Sequence, residues 1–174
     1  MDLKNLKVLS IIADEYEDLE FWVPAMRLQE EGAEIVVAGK TAGTSFRGKS
    51  GVSARSQFSF ASVDAAKYHA LLIPGGWAPD KLRRDPVVLE ITRQMAQANK
   101  IIGMICHAGL VGISASIVHG HRATGSEGIK DDLINAGAEW VDEPAFRSGN
   151  LVWGRVVADI PCYCRELVAA LKSL

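Results

Sequence analysis

The chain has 174 residues, 48% of them hydrophobic, a length and composition that suit one domain with a sizeable core. Its formal net charge is −2 and it carries no basic stripe, which argues against nucleic acid or an anionic membrane as the main partner. No apolar run approaches the roughly 20 residues of a membrane span, and the N-terminus does not resemble a signal peptide. Three cysteines cannot all pair within one chain, so a reducing cytoplasm is the expected location.

The first half of the chain alternates apolar strands with amphipathic helices. Strands are predicted at 7–12, 33–38 and 69–73, and helices at 17–28 and 86–99. In the first helix, the residues expected on one face are Leu19, Trp22, Met26 and Leu28, and Gly32 is expected to end it. Between them, 39–59 is expected to form a pair of short strands or a hairpin attached to the main sheet, and 63–66 a short helical turn. This order is typical of an α/β fold with a parallel sheet.

The second half continues the alternation with shorter elements. The apolar run 100–105 predicts a buried strand, followed by a helix to about residue 117. Further helices are predicted at 128–136 and 161–171, the latter with Pro161 in its first turn, and short strands at 122–124, 139–141 and 151–153.

Cys106 lies where a predicted strand turns sharply into a helix. That geometry resembles a nucleophile elbow, in which a strained turn exposes the nucleophile and backbone N–H groups face the reacting carbonyl. A helix N-terminus favours an anion, so the thiol is expected to be partly ionised near neutral pH, with His107 supporting the thiolate or relaying its proton. The alternative is that Cys106 is a small buried side chain and His107 a helix cap.

Pro74, Gly75 and Gly76 directly follow the predicted strand 69–73. One N–H from this loop is expected to face the N–H groups after Cys106 and complete an oxyanion hole, although an ordinary tight turn would have the same sequence. Cys162 and Cys164 are two residues apart, which is not a metal-ligand spacing on a helix, so both are interpreted as packing residues. No metal and no cofactor is expected.

Several stretches together resemble the PfpI branch of the ThiJ/PfpI superfamily. The matching stretches are Glu15 to Asp18, Arg27 to Gly32, Pro74 to Gly76, Ala78 to Asp80, Ile105 to His107, Ile129 to Asp132, Asn135 to Trp140, Asp142, Gly149-Asn150 and Arg165-Glu166. They cover nearly the whole chain. The resemblance implies a flavodoxin-like three-layer sandwich with a mostly parallel sheet, the class I glutamine amidotransferase-like architecture.

The resemblance also implies roles for individual residues. Cys106 would be the nucleophile and Glu17 the carboxyl group that faces its sulfur, kept protonated by partial burial. His107 would be the partner base. Asp80 matches a position where the family places an acidic residue that orients this histidine across a subunit interface, and Asp is one methylene shorter than the Glu expected there. A homo-oligomer, dimer or hexamer, is implied by the resemblance alone.

The sequence departs from the family pattern at positions expected to edge the pocket. Ala108 replaces a usual glycine and Trp77 a frequent arginine. The departing segments are Gly125-Ser126-Glu127, where an aromatic residue is usual, and Trp153-Gly154-Arg155-Val156-Val157, where a Ser-Arg-His/Thr-Pro pattern is usual. Trp77, Glu127, Trp153 and Arg155 are therefore candidate pocket residues. Each tryptophan has an alternative as a core or interface residue, and Glu127 has one as a surface residue.

Three functions follow from these features. The leading hypothesis is a cofactor-independent enzyme in which Cys106 adds to a small electrophilic carbonyl compound, as in glyoxalase III-type or deglycase-like chemistry. The second is an intracellular cysteine peptidase with an inter-subunit triad of Cys106, His107 and Asp80. The third is a stress or redox sensor that uses an oxidisable cysteine.

Overall fold

A computed structural model describes residues 3–174 of the chain. Its strands are β1 (Lys7–Ile11), β2 (Glu34–Gly39), β3 (Ser45–Arg47), β4 (Ser53–Arg55), β5 (Phe58–Ser59), β6 (Ala70–Ile73), β7 (Ile101–Ile105), β8 (Arg122–Ala123), β9 (Glu139–Trp140), β10 (Ala145–Ser148) and β11 (Leu151–Gly154). Its α-helices are α1 (Asp18–Glu30), α2 (Ala78–Leu82), α3 (Pro86–Gln97), α4 (Gly109–Ser114), α5 (Lys130–Asn135) and α6 (Ile160–Lys172). Short 3₁₀ turns lie between them, one of them at Cys106–Ala108.

The main sheet has the strand order β10-β11-β7-β6-β1-β2-β5. Every neighbouring pair is parallel except β10 with β11, which form an antiparallel hairpin at one edge. Helices α1 and α6 contact each other, α6 also packs on β7, β10 and β11, and α3 packs on β6 and β7. The sheet and its helices therefore confirm the predicted α/β fold with a mostly parallel sheet.

The central strands are buried on both faces, as their continuous apolar runs predict. In β6, Leu71 and Ile73 belong to one core cluster, which includes Val88, Ile91 and Met95 of α3. Ala70 and Leu72 belong to the other, which includes Tyr163 and Leu167 of α6. This alternation makes the sheet a rigid base for the loops at its edges.

The buried face of helix α1 overlaps the predicted one only in part, since Leu28 is buried and Trp22 packs against the core. Its buried hydrophobic residues are Phe21, Pro24, Ala25 and Leu28, whereas Leu19 is 50% and Met26 58% exposed. Large apolar side chains occur on several sides of this helix, so periodicity alone does not decide its orientation. Packing against the sheet decides it, and Glu20 is on the buried side as a result.

Three further elements differ from the predictions. The hairpin of β3 and β4 forms its own two-stranded sheet rather than joining the main one. Of the strands within 40–59, only β5 joins the main sheet, where it pairs with β2. Strand β10, which was not predicted, pairs with β11 across the two-residue turn Gly149-Asn150. Helix α4 ends at Ser114, short of the predicted residue 117.

Strands β1, β6 and β7 lie side by side and run in the same direction. The segments that follow them, which contain Glu17, Gly75 and Cys106, therefore meet at one edge of the sheet. In open α/β sheets, ligands bind in the crevice outside the carboxyl ends of the strands.

Candidate active site at Cys106

Cys106 adopts the strained backbone expected of a nucleophile elbow. Its φ is +59°, in the left-handed region that side chains other than glycine rarely occupy, and it begins a 3₁₀ turn directly after β7. The backbone of Ser126 donates a hydrogen bond to the Cys106 carbonyl oxygen at 3.1 Å, and Gly125 packs so closely that an added Cβ would lie 2.6 Å from the same oxygen. Tertiary contacts thus hold a conformation that typically costs about 1–3 kcal/mol.

Backbone N–H groups converge on the Cys106 sulfur from both sides of the crevice. The N–H groups of Gly76 and His107 donate to Sγ and lower the pKa of the thiol. Gly76 has a φ of +75°, and a Cβ on Gly75 would lie 2.4 Å from Glu20 Oε2 and 2.8 Å from Cys106 Cβ. The Pro-Gly-Gly loop therefore approaches the elbow as predicted, because it has no side chains in the way.

The carboxyl group beside the sulfur belongs to Glu20. Glu20 is 3% exposed, and its Oε2 accepts a 2.8 Å hydrogen bond from the Gly75 N–H. Its other oxygen, Oε1, is buried without a hydrogen-bond partner in the part of the chain that the structure describes. The charge of Glu20 acts on the Cys106 thiol and raises its pKa. A carboxyl group so placed can take a proton from the thiol.

This arrangement corrects the assignment of that role to Glu17. Glu17 is the N-cap of α1, and its Oε2 accepts a 3.0 Å hydrogen bond from the Glu20 N–H. It lines the same cavity as Cys106, but its carboxylate is engaged with the first turn of the helix. The two glutamates are three residues apart, so the cap lies outside the helix while Glu20 lies on its inner face.

Burial makes Cys106 and Glu20 a coupled pair with raised pKa values. Burial, followed by repulsion from Glu17, raises the pKa of Glu20 to about 7. Burial, followed by the charge and hydrogen bond of Glu20, raises the pKa of Cys106 to about 12. The expectation of a thiol partly ionised near neutral pH is therefore wrong. Desolvation and a neighbouring carboxylate outweigh the backbone N–H groups.

His107 and Lys49 complete the polar side of the site. His107 Nδ1 lies 3.2 Å from Cys106 Sγ. Burial, followed by the positive charge of Lys49, lowers the pKa of His107, so its imidazole is neutral at neutral pH. A neutral imidazole next to the sulfur can accept and return a proton.

Lys49 is brought to the site by the turn between β3 and β4. Asp18 is buried and accepts hydrogen bonds from the backbone N–H groups of Ser50 at 2.7 Å and Val52 at 2.8 Å. The Lys49 N–H donates to the Tyr16 carbonyl oxygen at 2.8 Å. Helix α1 and the residue that precedes its cap thus fix the turn that carries the lysine, and they place a cation opposite Glu20.

Within the described part of the chain, Asp80 does not reach His107. Its carboxylate pairs at 3.0 Å with Arg84, which lies two residues beyond the end of α2. This is an exposed i,i+4 pair of small energetic weight. The inter-subunit role of Asp80, and the oligomer that it needs, stay predictions.

The four candidate pocket residues lie in three different places: the Cys106 cavity, the core and an adjacent cavity. Trp77 lines the cavity of about 330 Å³ at Cys106, with its ring centroid 5.7 Å from that of His107. Trp153 is fully buried in β11 and packs in the core, so its placement in the pocket is wrong. Glu127 and Arg155 line an adjacent cavity of about 340 Å³, which shares Val156 with the first.

Arg155 holds the segment between β11 and α6. Its guanidinium pairs with Asp159 at 2.8 Å and with Asp142 at 2.7 Å. These two hydrogen bonds raise the pKa of Arg155 above its already high ordinary value, so it is charged at all accessible pH. The residues that this segment presents to the Cys106 cavity are Val156, Val157 and Ala158.

Sequence reasoning missed Glu20 and Lys49. Glu20 had no decisive signal, because apolar side chains occur on several sides of α1 and only its packing places Glu20 on the buried face with Pro24. Lys49 had none, because its hairpin is placed by long-range hydrogen bonds to Asp18 and Tyr16.

The other cysteines lie on α6. Cys164 is buried in the core, as predicted, and Cys162 is half-buried with the Arg165 guanidinium 3.0 Å from its sulfur. Across residues 3–174, no three His, Cys, Asp or Glu side chains converge in a way that could bind a metal ion. None of the helices in that range has the length and apolarity that crossing a bilayer requires.

Comparison with known proteins finds relatives over nearly the whole chain. A sequence model of the DJ-1/PfpI family matches residues 6–170. A deglycase of Pyrococcus horikoshii is 41% identical over 96% of this chain and all of its own length, and protein/nucleic acid deglycase 2 of Escherichia coli is 36% identical over 96% of this chain and 98% of its own.

A solved structure extends the likeness to three dimensions. A two-domain protein of Anabaena variabilis, containing a DJ-1/ThiJ/PfpI-like and a ferritin-like domain, superimposes with a TM-score of 0.94 and 32% identity. The superposition covers 96% of this chain and 48% of that protein. On the family match and these identities, the chain belongs to the DJ-1/PfpI family.

Proposed function

We propose that this protein is a cofactor-independent enzyme in which Cys106 adds to the aldehyde carbon of a small 2-oxoaldehyde and converts it into a 2-hydroxy acid. The observation that carries the proposal is the pairing of a thiol on a strained elbow with a buried carboxyl group that can take its proton. The names of the two relatives, both deglycases, support chemistry on carbonyl adducts.

In the first step, the sulfur attacks the aldehyde carbon while the thiol proton passes to the Glu20 carboxylate. The carbon–oxygen double bond becomes a single bond, and its oxygen takes the proton from Glu20 to give a hemithioacetal, which restores the Glu20 carboxylate. A raised thiol pKa requires this concerted transfer, because a preformed thiolate is scarce at neutral pH. The N–H groups of Gly76 and His107 surround the sulfur and can donate to the developing oxyanion.

In the second step, a proton moves from the hemithioacetal carbon to the neighbouring carbonyl carbon. Neutral His107, beside the sulfur, removes this proton and returns it one carbon further along, while the hydroxyl proton of the hemithioacetal passes to the oxygen of the neighbouring carbonyl. The product is a thioester of a 2-hydroxy acid. Water then hydrolyses the thioester and restores the thiol. The net change adds one water to the 2-oxoaldehyde, without an external oxidant or reductant.

The test is turnover of methylglyoxal to lactate, with Cys106→Ser compared against Cys162→Ser. Cys162 is also incompletely buried but lies on α6 outside the cavity, so it controls for general thiol chemistry. We expect Cys106→Ser to abolish lactate formation and Cys162→Ser to retain it. Equal activity of both variants, or no turnover by the wild type, would overturn the proposal.

The two alternatives have weaker support. The peptidase hypothesis needs Asp80 of a second copy, and here Asp80 pairs with Arg84. The sensor hypothesis depends on a readily ionised thiol, and burial raises the pKa of Cys106 instead. Both stay predictions, as does a cytoplasmic location.

A further inference from the structure

The Cys106 cavity has polar and apolar lining residues. The polar side chains are Glu17, Lys49 and the three that the proposed reaction uses, Cys106, Glu20 and His107. The apolar side chains are Trp77, Val156, Val157 and Ala158. None of these four side chains carries a group that the reaction needs. They can therefore act only on the part of a ligand that does not react.

Trp77 is exposed without a structural reason. Its backbone is fixed, since its N–H donates to the Glu15 carbonyl oxygen at 2.9 Å and the preceding Gly76 forms a bridge with Tyr16. Its indole, however, is 54% exposed, the largest exposed fraction of any large aromatic side chain in residues 3–174. The ring lies at the edge of the cavity, next to the ring of His107. An exposed aromatic ring beside a reactive group favours contact with a ligand.

The rest of the apolar lining is held in place before any ligand binds. Val156 and Val157 directly follow Arg155, whose ion pairs with Asp142 and Asp159 tie the segment to its surroundings. A segment held in this way does not need to become ordered when a ligand binds, which lowers the free-energy cost of binding. The cavity of about 330 Å³ lies within the usual range of small-molecule pockets.

We propose that the preferred substrate is a 2-oxoaldehyde with a bulky apolar substituent, such as an aromatic ring, seated between Trp77 and Val157. The proposal rests on the proposed function and names its substrate class. The aldehyde would face Cys106 and Glu20, while the substituent contacts the apolar lining. Trp77 is then a specificity-determining residue, which acts on the choice of substrate rather than on the bonds that change.

The experiment compares kcat/KM for phenylglyoxal, followed by mandelate formation, with kcat/KM for methylglyoxal, followed by lactate formation. We expect the wild type to prefer phenylglyoxal. In Trp77→Ala we expect the ratio of the two values to fall by about tenfold, near the upper end of what one aromatic contact contributes. Trp77→Phe, which keeps a ring, should preserve most of the ratio.

Phe58→Ala is the matched control, because Phe58 is another exposed aromatic residue and lies on the edge strand β5, remote from the cavity. If Trp77→Ala fails to fold, Val157→Ser probes another part of the same apolar lining and should lower the same ratio. Turnover that needs Cys106 but shows the same ratio in all these variants would overturn this inference alone. Turnover of neither substrate would overturn the proposed function and this inference with it.

Discussion

Two thiols of this protein, the half-buried Cys106 and the buried Cys164, share a raised pKa but differ in the groups around them. Burial raises the pKa of both, to about 12 for Cys106 and about 11 for Cys164. Cys164 lies on the regular helix α6 among core side chains, whereas Cys106 lies on a strained turn beside Glu20, His107 and two backbone N–H donors. The proposed reactivity of Cys106 therefore depends on a group that takes its proton, not on a low thiol pKa.

The strongest test of this comparison is to remove the proton acceptor while keeping its shape. We expect Glu20→Gln to lower kcat/KM for the 2-oxoaldehyde by about 10²- to 10⁴-fold, the usual contribution of a general base. Glu17→Gln, three residues away, is the matched control and should lose less than about tenfold, because Glu17 caps the helix. Equal losses in the two variants would contradict the assignment to Glu20.

Glu20→Gln should also stabilise the fold at alkaline pH. The folded pKa of Glu20 is about 7, above the ordinary 4.5, so the folded state holds this proton more tightly than the unfolded state does. Stability is therefore lost as pH rises from 4.5 to 7, by about 3 kcal/mol in total. Gln has no charge and can still accept from the Gly75 N–H.

Urea unfolding at two pH values measures this effect. We expect Glu20→Gln to exceed the wild type in free energy of unfolding by up to about 3 kcal/mol at pH 8, with the difference vanishing near pH 4.5. Glu34→Gln, at an exposed position, should show no such pH dependence. A difference between Glu20→Gln and wild type that is the same at both pH values would mean that the buried charge is not its cause.

Alkylation by iodoacetamide compares the thiols directly. At pH 8 we expect Cys106 to react at least about tenfold faster than Cys164, as only Cys106 has a neighbouring proton acceptor and access from a cavity. Site-resolved mass spectrometry over time gives both rates in one sample. In Glu20→Gln the ratio of the Cys106 alkylation rate to the Cys164 rate should fall. An unchanged Cys106 rate in this variant would argue against proton transfer to Glu20.

The smallest expected effect concerns the charges around Glu20. Glu17 raises the pKa of Glu20 and Lys49 lowers it, so Glu17→Gln should move the acidic limb of the pH–kcat/KM profile downward and Lys49→Met should move it upward. Activity at the optimum pH should change by less than about threefold for Lys49→Met, as expected of an exposed charge. If the acidic limb moved in the same direction in both variants, the electrostatic explanation would be refuted.

Local sequence patterns predicted a feature correctly where the feature depends on one short segment. The apolar runs that became β1, β6 and β7 are buried on both sides, and the strand-to-helix change at Cys106 is an elbow with a φ of +59°. The Pro-Gly-Gly loop approaches this elbow because parallel strands bring their carboxyl ends to one edge. These features need only residue type, period and chain direction.

Patterns failed where several positions offered the same chemistry. Glu17 and Glu20 are both acids at the start of a helix, and only the packing of α1 decides that Glu20 faces the sulfur. Trp77 and Trp153 are both aromatic residues beside predicted loops, yet one edges the cavity and the other fills the core.

The amino-acid sequence by itself determined the fold class, the position of the elbow and the identity of its thiol, because these depend on periodicity and on backbone conformations that few residues tolerate. Only the tertiary structure decided which carboxyl group meets the sulfur, that Lys49 enters the site and that the thiol is protonated. The physical reason is that burial and charge act through space, between groups that are far apart in the chain.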